Sequence, residues 1–257
     1  MARKGRTVSG TGFYHVMVRG INHELIFEQI RERNYFKKIL KKHLGEYDIE
    51  IHAYCIMSNH AHFIFKSKYI NQISFYMSKV LAEYAKYYNY KRNRNGHVFQ
   101  GRFKSECIND SKYYWDCMRY IHMNPVKAHM VMTPEEYSHS SYKEFKSHKT
   151  KILHENALKL YEERFVGWFE YVEFHQKQAG KVFIGMQQEV YLQQKDLAWV
   201  ILMKMQEKYQ FKNLEEVIEE TESRNEFMQR ICDEIQVSIS KMKKIYGEIK
   251  KELLEAK

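Results

Sequence analysis

The chain has 257 residues, 44% hydrophobic and 15% aromatic, enough apolar surface for a substantial core and too much for a disordered polyelectrolyte. No apolar run approaches the roughly 20 residues that cross a bilayer, and the four scattered cysteines, Cys55, Cys107, Cys117 and Cys232, make neither a disulfide framework nor a close Cys-x-x-Cys zinc pair. The net charge of +10 is uneven: residues 1–150 carry 25 Lys and Arg against 13 Asp and Glu, or +12, and residues 151–257 carry 17 against 19, or −2.

An N-terminal part so basic attracts polyanions, and nucleic acid is the commonest one in a cytoplasm, the compartment expected in the absence of a secretion signal. The aromatics interleaved with charge from Tyr84 to Arg94 point the same way.

Residues 12–19, Gly-Phe-Tyr-His-Val-Met-Val-Arg, predict a strand closed by a turn at Arg19-Gly20-Ile21-Asn22. From Arg31 to Tyr47, Phe36, Ile39, Leu40 and Leu44 recur at helical spacing, with Lys37, Lys38, Lys41 and Lys42 on the remaining surface. Two strands, Ile49 to Met57 and His60 to Phe65, are joined by a Ser58-Asn59 turn, and Asn71 to Tyr90 repeats the helical pattern. Lys91 to Gly96 is a loop. Strands are expected at His97 to Phe99 and Phe103 to Ile108, then a helix capped by Ser111 and ended at Asn124, because Pro125 disfavours helical geometry before it.

This order predicts an α+β fold, a ferredoxin-like split βαβ antiparallel sheet with helices on one face and the histidines on the other, occupying residues 1–150. After about Lys151 the chain becomes helical, apart from a strand signal at Val182 to Ile184. Near its end, residues 224–250 read as helix, turn, helix; such a pair either packs on its own domain or reads a duplex groove, which makes duplex DNA a candidate partner of the C-terminal region.

His60 and His62 are two apart on a strand and therefore share a face, so both imidazoles can converge on one metal ion. Histidines near a strand end are also ordinary partly exposed residues. Downstream, Tyr120 and Asn124 are four apart on a helix and project together. If that helix packs on the sheet, the Asn124 amide oxygen joins the imidazoles as a third ligand and leaves positions open for a substrate oxygen. The chemistry that fits is attack by Tyr120 on a phosphodiester. A free phenol, with a pKa of roughly 10, is a weak nucleophile at neutral pH, so the cation or nearby His122 is expected to help remove its proton.

Five stretches carry a family resemblance: Phe13-Tyr-His-Val-Met-Val-Arg-Gly20, Met57-Ser-Asn-His-Ala-His62, Gly96-His-Val-Phe-Gln-Gly-Arg-Phe103, Tyr120-Ile-His-Met-Asn-Pro-Val-Lys-Ala128 and Tyr137-Ser-His-Ser-Ser-Tyr142. Over about residues 10 to 145 the chain resembles the REP-associated tyrosine transposases, single-tyrosine members of the His-hydrophobic-His (HUH) endonuclease superfamily. The resemblance implies a metal pair at His60 and His62, a nucleophile at Tyr120 and a third ligand at Asn124. It further implies Mg²⁺ or Mn²⁺ as cofactor, and cleavage of single-stranded DNA at hairpin-bearing repeats through a 5′-phosphotyrosine, by a monomer or a homodimer. Arg19, Arg102, Lys104 and Arg119 are candidate phosphate contacts, and Tyr113 and Tyr114 compete less well for the nucleophile because neither has an amide four residues on. The rival readings are a hairpin-binding regulator that has lost its chemistry and a nuclease that uses water.

Overall fold

The computed structural model describes residues 6–177 and 186–255, which form two compact units, Met1–Ile184 and Gly185–Lys257. The strand signal at 182–184 lies outside the described residues.

In the first unit, β1 (Phe13–Arg19), α1 (Ile30–Leu44), β2 (Glu50–Ile56), β3 (His60–Lys66), α2 (Ile70–Lys91) and β4 (Lys104–Ile108) follow one another as expected. The strands form an antiparallel sheet in the order β2-β3-β1-β4. Alternation along the strands sorts the side chains. Tyr14, Val16 and Val18 of β1 and Ala61, Phe63 and Phe65 of β3 face α1 and α2, where Phe36, Leu40, Tyr76 and Tyr84 complete a dry core. The other face receives α3 (Ser111–Lys127); α4 (Tyr142–Ser147) follows residues bonded to the edge of β2, α5 (Glu155–Arg164) packs near β2, and α6 (Trp168–Gln176) packs against α3.

Several local expectations are corrected. Residues 97–99 form no strand: only Phe99 makes a bridge, to Gly20. The cap of α3 is Asp110, whose carboxylate accepts Tyr113 N–H at 2.6 Å, a stronger acceptor than the Ser111 hydroxyl at this helix end. The helix also runs through Pro125 to Lys127. Near a helix end the missing Pro125 N–H costs one bond, and the following turn is closed by Ala128 N–H to Asn124 O at 2.9 Å and Met130 N–H to Pro125 O at 3.0 Å.

The unit boundary falls after Ile184 rather than near residue 151. The reason is packing on both sides of Lys151. His154 N–H bonds Ile51 O of β2 at 2.8 Å, and Phe165 meets Trp115 of α3 with ring centroids 5.1 Å apart.

The second unit buries Leu202 and Met205 of α7 (Met186–Tyr209), Val217 of α8 (Leu214–Glu219), Phe227 and Ile231 of α9 (Thr221–Ile235) and Ile245 and Ile249 of α10 (Ile239–Glu255) in one core. The bend from α9 to α10 turns on Gln236 in the left-handed region, φ 53° and ψ 51°, and Met242 N–H to Ser238 O at 2.9 Å starts the next helix. No helix among the described residues is long and apolar enough to cross a membrane.

Candidate active site

The β1–β3 register builds the site. Met17 stands opposite His62 and Arg19 opposite His60, so His15, Met17, Arg19, His60 and His62 share the face turned from α1 and α2. His15 is the diagonal neighbour of His62. Its Nε2 lies 3.0 Å from His62 Nδ1, and the two rings stack at 5.1 Å. The second strand of the hairpin begins as it does because Gly20 N–H bonds Asn59 O at 2.8 Å and Met57 N–H bonds His60 O at 2.8 Å, which locks the Ser58-Asn59 turn.

Across this face lies α3. The Tyr120 ring meets His62 edge-on at 5.3 Å and His15 at 5.9 Å, and the His60 and His62 rings are 5.0 Å apart. The phenol and both imidazoles therefore converge, and Asn124 follows one turn later on the same helix. All four are buried, Tyr120 at 1% exposure and Asn124 at 3%. Solvent approaches Tyr120 through a cleft of about 350 Å³ also lined by Arg119, Met123, Lys127 and His175. Lys127 Nζ sits 5.3 Å from the Tyr120 ring centroid, a cation over the ring.

The hydrogen bonds suit metal ligation by the two histidines. His60 Nδ1 lies 2.5 Å from Asn59 Oδ1, an acceptor, so His60 carries its proton on Nδ1 and its lone pair on Nε2. His62 reaches the same state if its Nδ1–H donates to His15 Nε2, the arrangement in which an outer acceptor fixes a ligating imidazole. Among the described residues no three His, Cys, Asp or Glu side chains are grouped to hold a metal, so a third donor to a cation at the two histidines would have to be of another residue type. The buried Asn124 amide fits: its Nδ2 has no hydrogen-bond partner, so no protein contact to that nitrogen ties the group to another task.

His122 does not join the site. Two residues past Tyr120, it points to the opposite side of α3, where Nε2 lies 2.8 Å from Ser141 Oγ and Nδ1 lies 3.1 Å from His175 Nε2 and 3.2 Å from Tyr171 OH. Burial holds its pKa well below the usual histidine range, so the expected base is a structural tie between α3, α4 and α6. Arg119 is likewise engaged, donating to Asp116 Oδ1 at 2.5 Å and Phe174 O at 3.2 Å. Arg19 is buried opposite His60, and Arg102 and Lys104 are exposed. Tyr114 donates or accepts at 2.9 Å with His52 Nδ1, and Tyr113 is buried against Glu106.

The aromatic, basic stretch at the end of α2 is partly internal to the fold, with Tyr90 exposed. Tyr84 and Tyr88 are buried, while Arg92 pairs with Glu28 at 3.3 Å and Glu32 at 3.1 Å and Arg94 pairs with Glu24. Conversely, sequence reasoning passed over His15. Its only signal was the strand alternation that sets it on the face opposite Tyr14 and Val16, and the pairing with His62 needs the register.

Residues 10–124 match the family model described as IS200-like transposase. A Haemophilus influenzae protein provisionally named a REP-associated tyrosine transposase is 24% identical over 150 residues, an alignment covering 54% of this chain and 84% of that protein. A solved structure described as the REP-associated tyrosine transposase bound to a REP hairpin is similar with a TM-score of 0.47 and 19% identity, over 60% of this chain and 92% of that one.

Proposed function

We propose that the chain, whose residues 10–124 match the family model described as IS200-like transposase, nicks and rejoins single-stranded DNA at hairpin-bearing repeats through Tyr120. The observation that carries this reading is the Tyr120 ring 5.3 Å from His62 on the sheet face that also holds His60.

In the proposed reaction the Tyr120 hydroxyl gives its proton to water in the cleft, and its oxygen bonds to phosphorus of the scissile phosphate. The bond to the 3′ oxygen breaks, and that oxygen takes a proton from water. The products are a 5′-phosphotyrosine and a free 3′-hydroxyl, and reversal of the same exchange joins strands without an external energy source. His60, His62 and Asn124 would hold Mg²⁺ or Mn²⁺, whose contribution when bound is to stabilise charge building on the non-bridging phosphate oxygens. Asn59 and His15 orient the two imidazoles, and Lys127 supports the phenolate.

The second unit adds a surface for duplex DNA. On α10, Ser240, Lys243, Lys244, Gly247, Lys250 and Lys251 are exposed and recur at helical spacing, and a Gly247 side chain would begin in space that no group outside the adjoining helix backbone approaches within 4 Å. A basic helix face with a bare centre suits close approach to a groove.

The test is a labelled single-stranded hairpin oligonucleotide incubated with Mn²⁺ and run on a denaturing gel. Wild type is expected to give a covalent adduct, Tyr120→Phe none, and His60→Ala none while still binding the hairpin. Cleavage without an adduct would move the reading to a nuclease that uses water. Tight binding without cleavage would move it to a regulator.

A further inference from the structure

Removing an uncompensated charge from water costs several kcal/mol, so buried cations in folded proteins stand beside an anion. Arg33, on α1, departs from that pattern. It is 8% exposed, its Nη2 donates to Ser58 Oγ at 3.1 Å, its Nε has no hydrogen-bond partner, and it takes part in none of the ion pairs among the described residues.

Three more basic groups gather around it. Lys37 lies one turn on along the same helix face and is half-buried. His139 reaches the spot because residues 139–141 run along the outer edge of β2, with Ile56 N–H to His139 O at 2.9 Å and Ser141 N–H to Tyr54 O at 2.9 Å. Its ring is buried, and Nδ1 has no hydrogen-bond partner. Lys151 arrives as the chain turns back to the same edge and is exposed.

Neither lysine forms an ion pair among the described residues. The neighbouring carboxylate, Glu144, is itself buried and already accepts from Tyr54 OH and, at 2.6 Å, from Lys151 N–H. The mutual repulsion is felt: burial and then Lys151 hold the Lys37 ammonium below its ordinary range, and burial with Lys37, Arg33 and Lys151 brings His139 down to about 4.

We propose that Arg33, Lys37, His139 and Lys151 form a site for one backbone phosphate of a single DNA strand, beside the Ser58-Asn59 turn from which His60 emerges. The Arg33 fork and the two ammonium groups supply the donors that such an oxyanion takes, and the bound charge relieves their repulsion. Because Arg33 holds Ser58 and the next residue, Asn59, holds His60 Nδ1, a phosphate here would tie strand position to the catalytic hairpin. The proposal rests on the nucleic-acid reading above.

The experiment uses the full chain and a fluorescent hairpin oligonucleotide with single-stranded flanks, its anisotropy titrated over a range of NaCl without divalent cation. Lys37→Ala/Lys151→Ala, at positions that reach solvent, is expected to weaken binding about tenfold and to flatten the plot of log K against log salt by roughly one unit. Lys37→Arg/Lys151→Arg is expected to restore both, with melting curves verifying the fold of each variant. Wild-type binding with no change in the alanine variant overturns the proposal alone. Stabilisation of wild type by inorganic phosphate that the alanine variant loses, with DNA binding equal in the two, assigns the site to free phosphate and also overturns it. Failure of wild type to bind the hairpin overturns this proposal together with the nucleic-acid reading.

Discussion

His15 Nε2 lies 3.0 Å from His62 Nδ1 across the β1–β3 pair, and this hydrogen bond governs which nitrogen His62 can offer to a cation. A proton on Nδ1 leaves the lone pair on Nε2; the reverse tautomer closes Nε2 to a metal. His15→Leu is therefore expected to lower Mn²⁺ affinity 10- to 100-fold, the usual cost of losing an outer partner. His15→Gln, which keeps an acceptor near the same point, is expected to recover most of it. Electron paramagnetic titration of Mn²⁺ without DNA reads the affinity, and nitrogen NMR of the metal-free protein reads the tautomer. Unchanged affinity in His15→Leu would show that His15 merely packs.

The buried pair His122 and His175 makes stability pH-dependent. Burial brings His175 down to about 3, against roughly 6.5 in an unfolded chain. Between these values the unfolded state holds a proton that the folded state refuses, so this contribution is complete above pH 6.5 and is lost as pH falls toward 3. The slope is up to about 1.4 kcal/mol per pH unit for one such group. Urea unfolding at pH 7, 6 and 5 is expected to show a shallower decline for His175→Phe than for wild type. Parallel declines would contradict it.

Gly20 is confined by sterics. Its φ of −63° suits any residue, but a Cβ would meet Glu24 O at 2.4 Å and Ile26 Cγ2 at 2.9 Å. The first of these is backbone and cannot swing away, so Gly20→Ala is expected to cost about 1–3 kcal/mol by overpacking. Because Gly20 N–H also holds Asn59 O, Mn²⁺ affinity should fall with it. Denaturant unfolding and metal titration together check this, and an alanine variant as stable as wild type would refute the clash.

In the second unit, Gln236 adopts a left-handed conformation that glycine reaches without a Cβ penalty. Gln236→Gly is expected to stabilise the α9–α10 pair by about 0.5–1 kcal/mol, read as slower amide hydrogen exchange in both helices. Faster exchange would mean that the glutamine side chain contributes more than its backbone costs.

Much of this molecule follows from neighbours along the chain. Alternation through His60-Ala-His-Phe-Ile-Phe separates the two imidazoles from the core phenylalanines, and the four-residue step from Tyr120 to Asn124 sets both on one helix face. The βαββαβ order of the first unit is likewise visible as changes in apolar period. These features are local because pleat and helical turn repeat within a few residues.

What escaped that reading depends on partners far away in sequence. Pro125 ends a helix by local rule yet sits inside α3, whose last turns are held by packing and later bonds. His122 looks like a base beside Tyr120 until Ser141, Tyr171 and His175 claim its ring from the other side of the helix. The aromatics interleaved with charge from Tyr84 to Arg94 look like a surface for nucleic acid until Tyr84 and Tyr88 are found buried and Glu24, Glu28 and Glu32 pair with Arg92 and Arg94. Which residue types can share a face was thus set by the sequence alone, through backbone periodicity. Which charges meet, which proton positions are held and which cations are left without an anion were decided by tertiary packing, because electrostatic partners are chosen by distance in space and the chain reaches those distances only once sheet register and helix docking are complete.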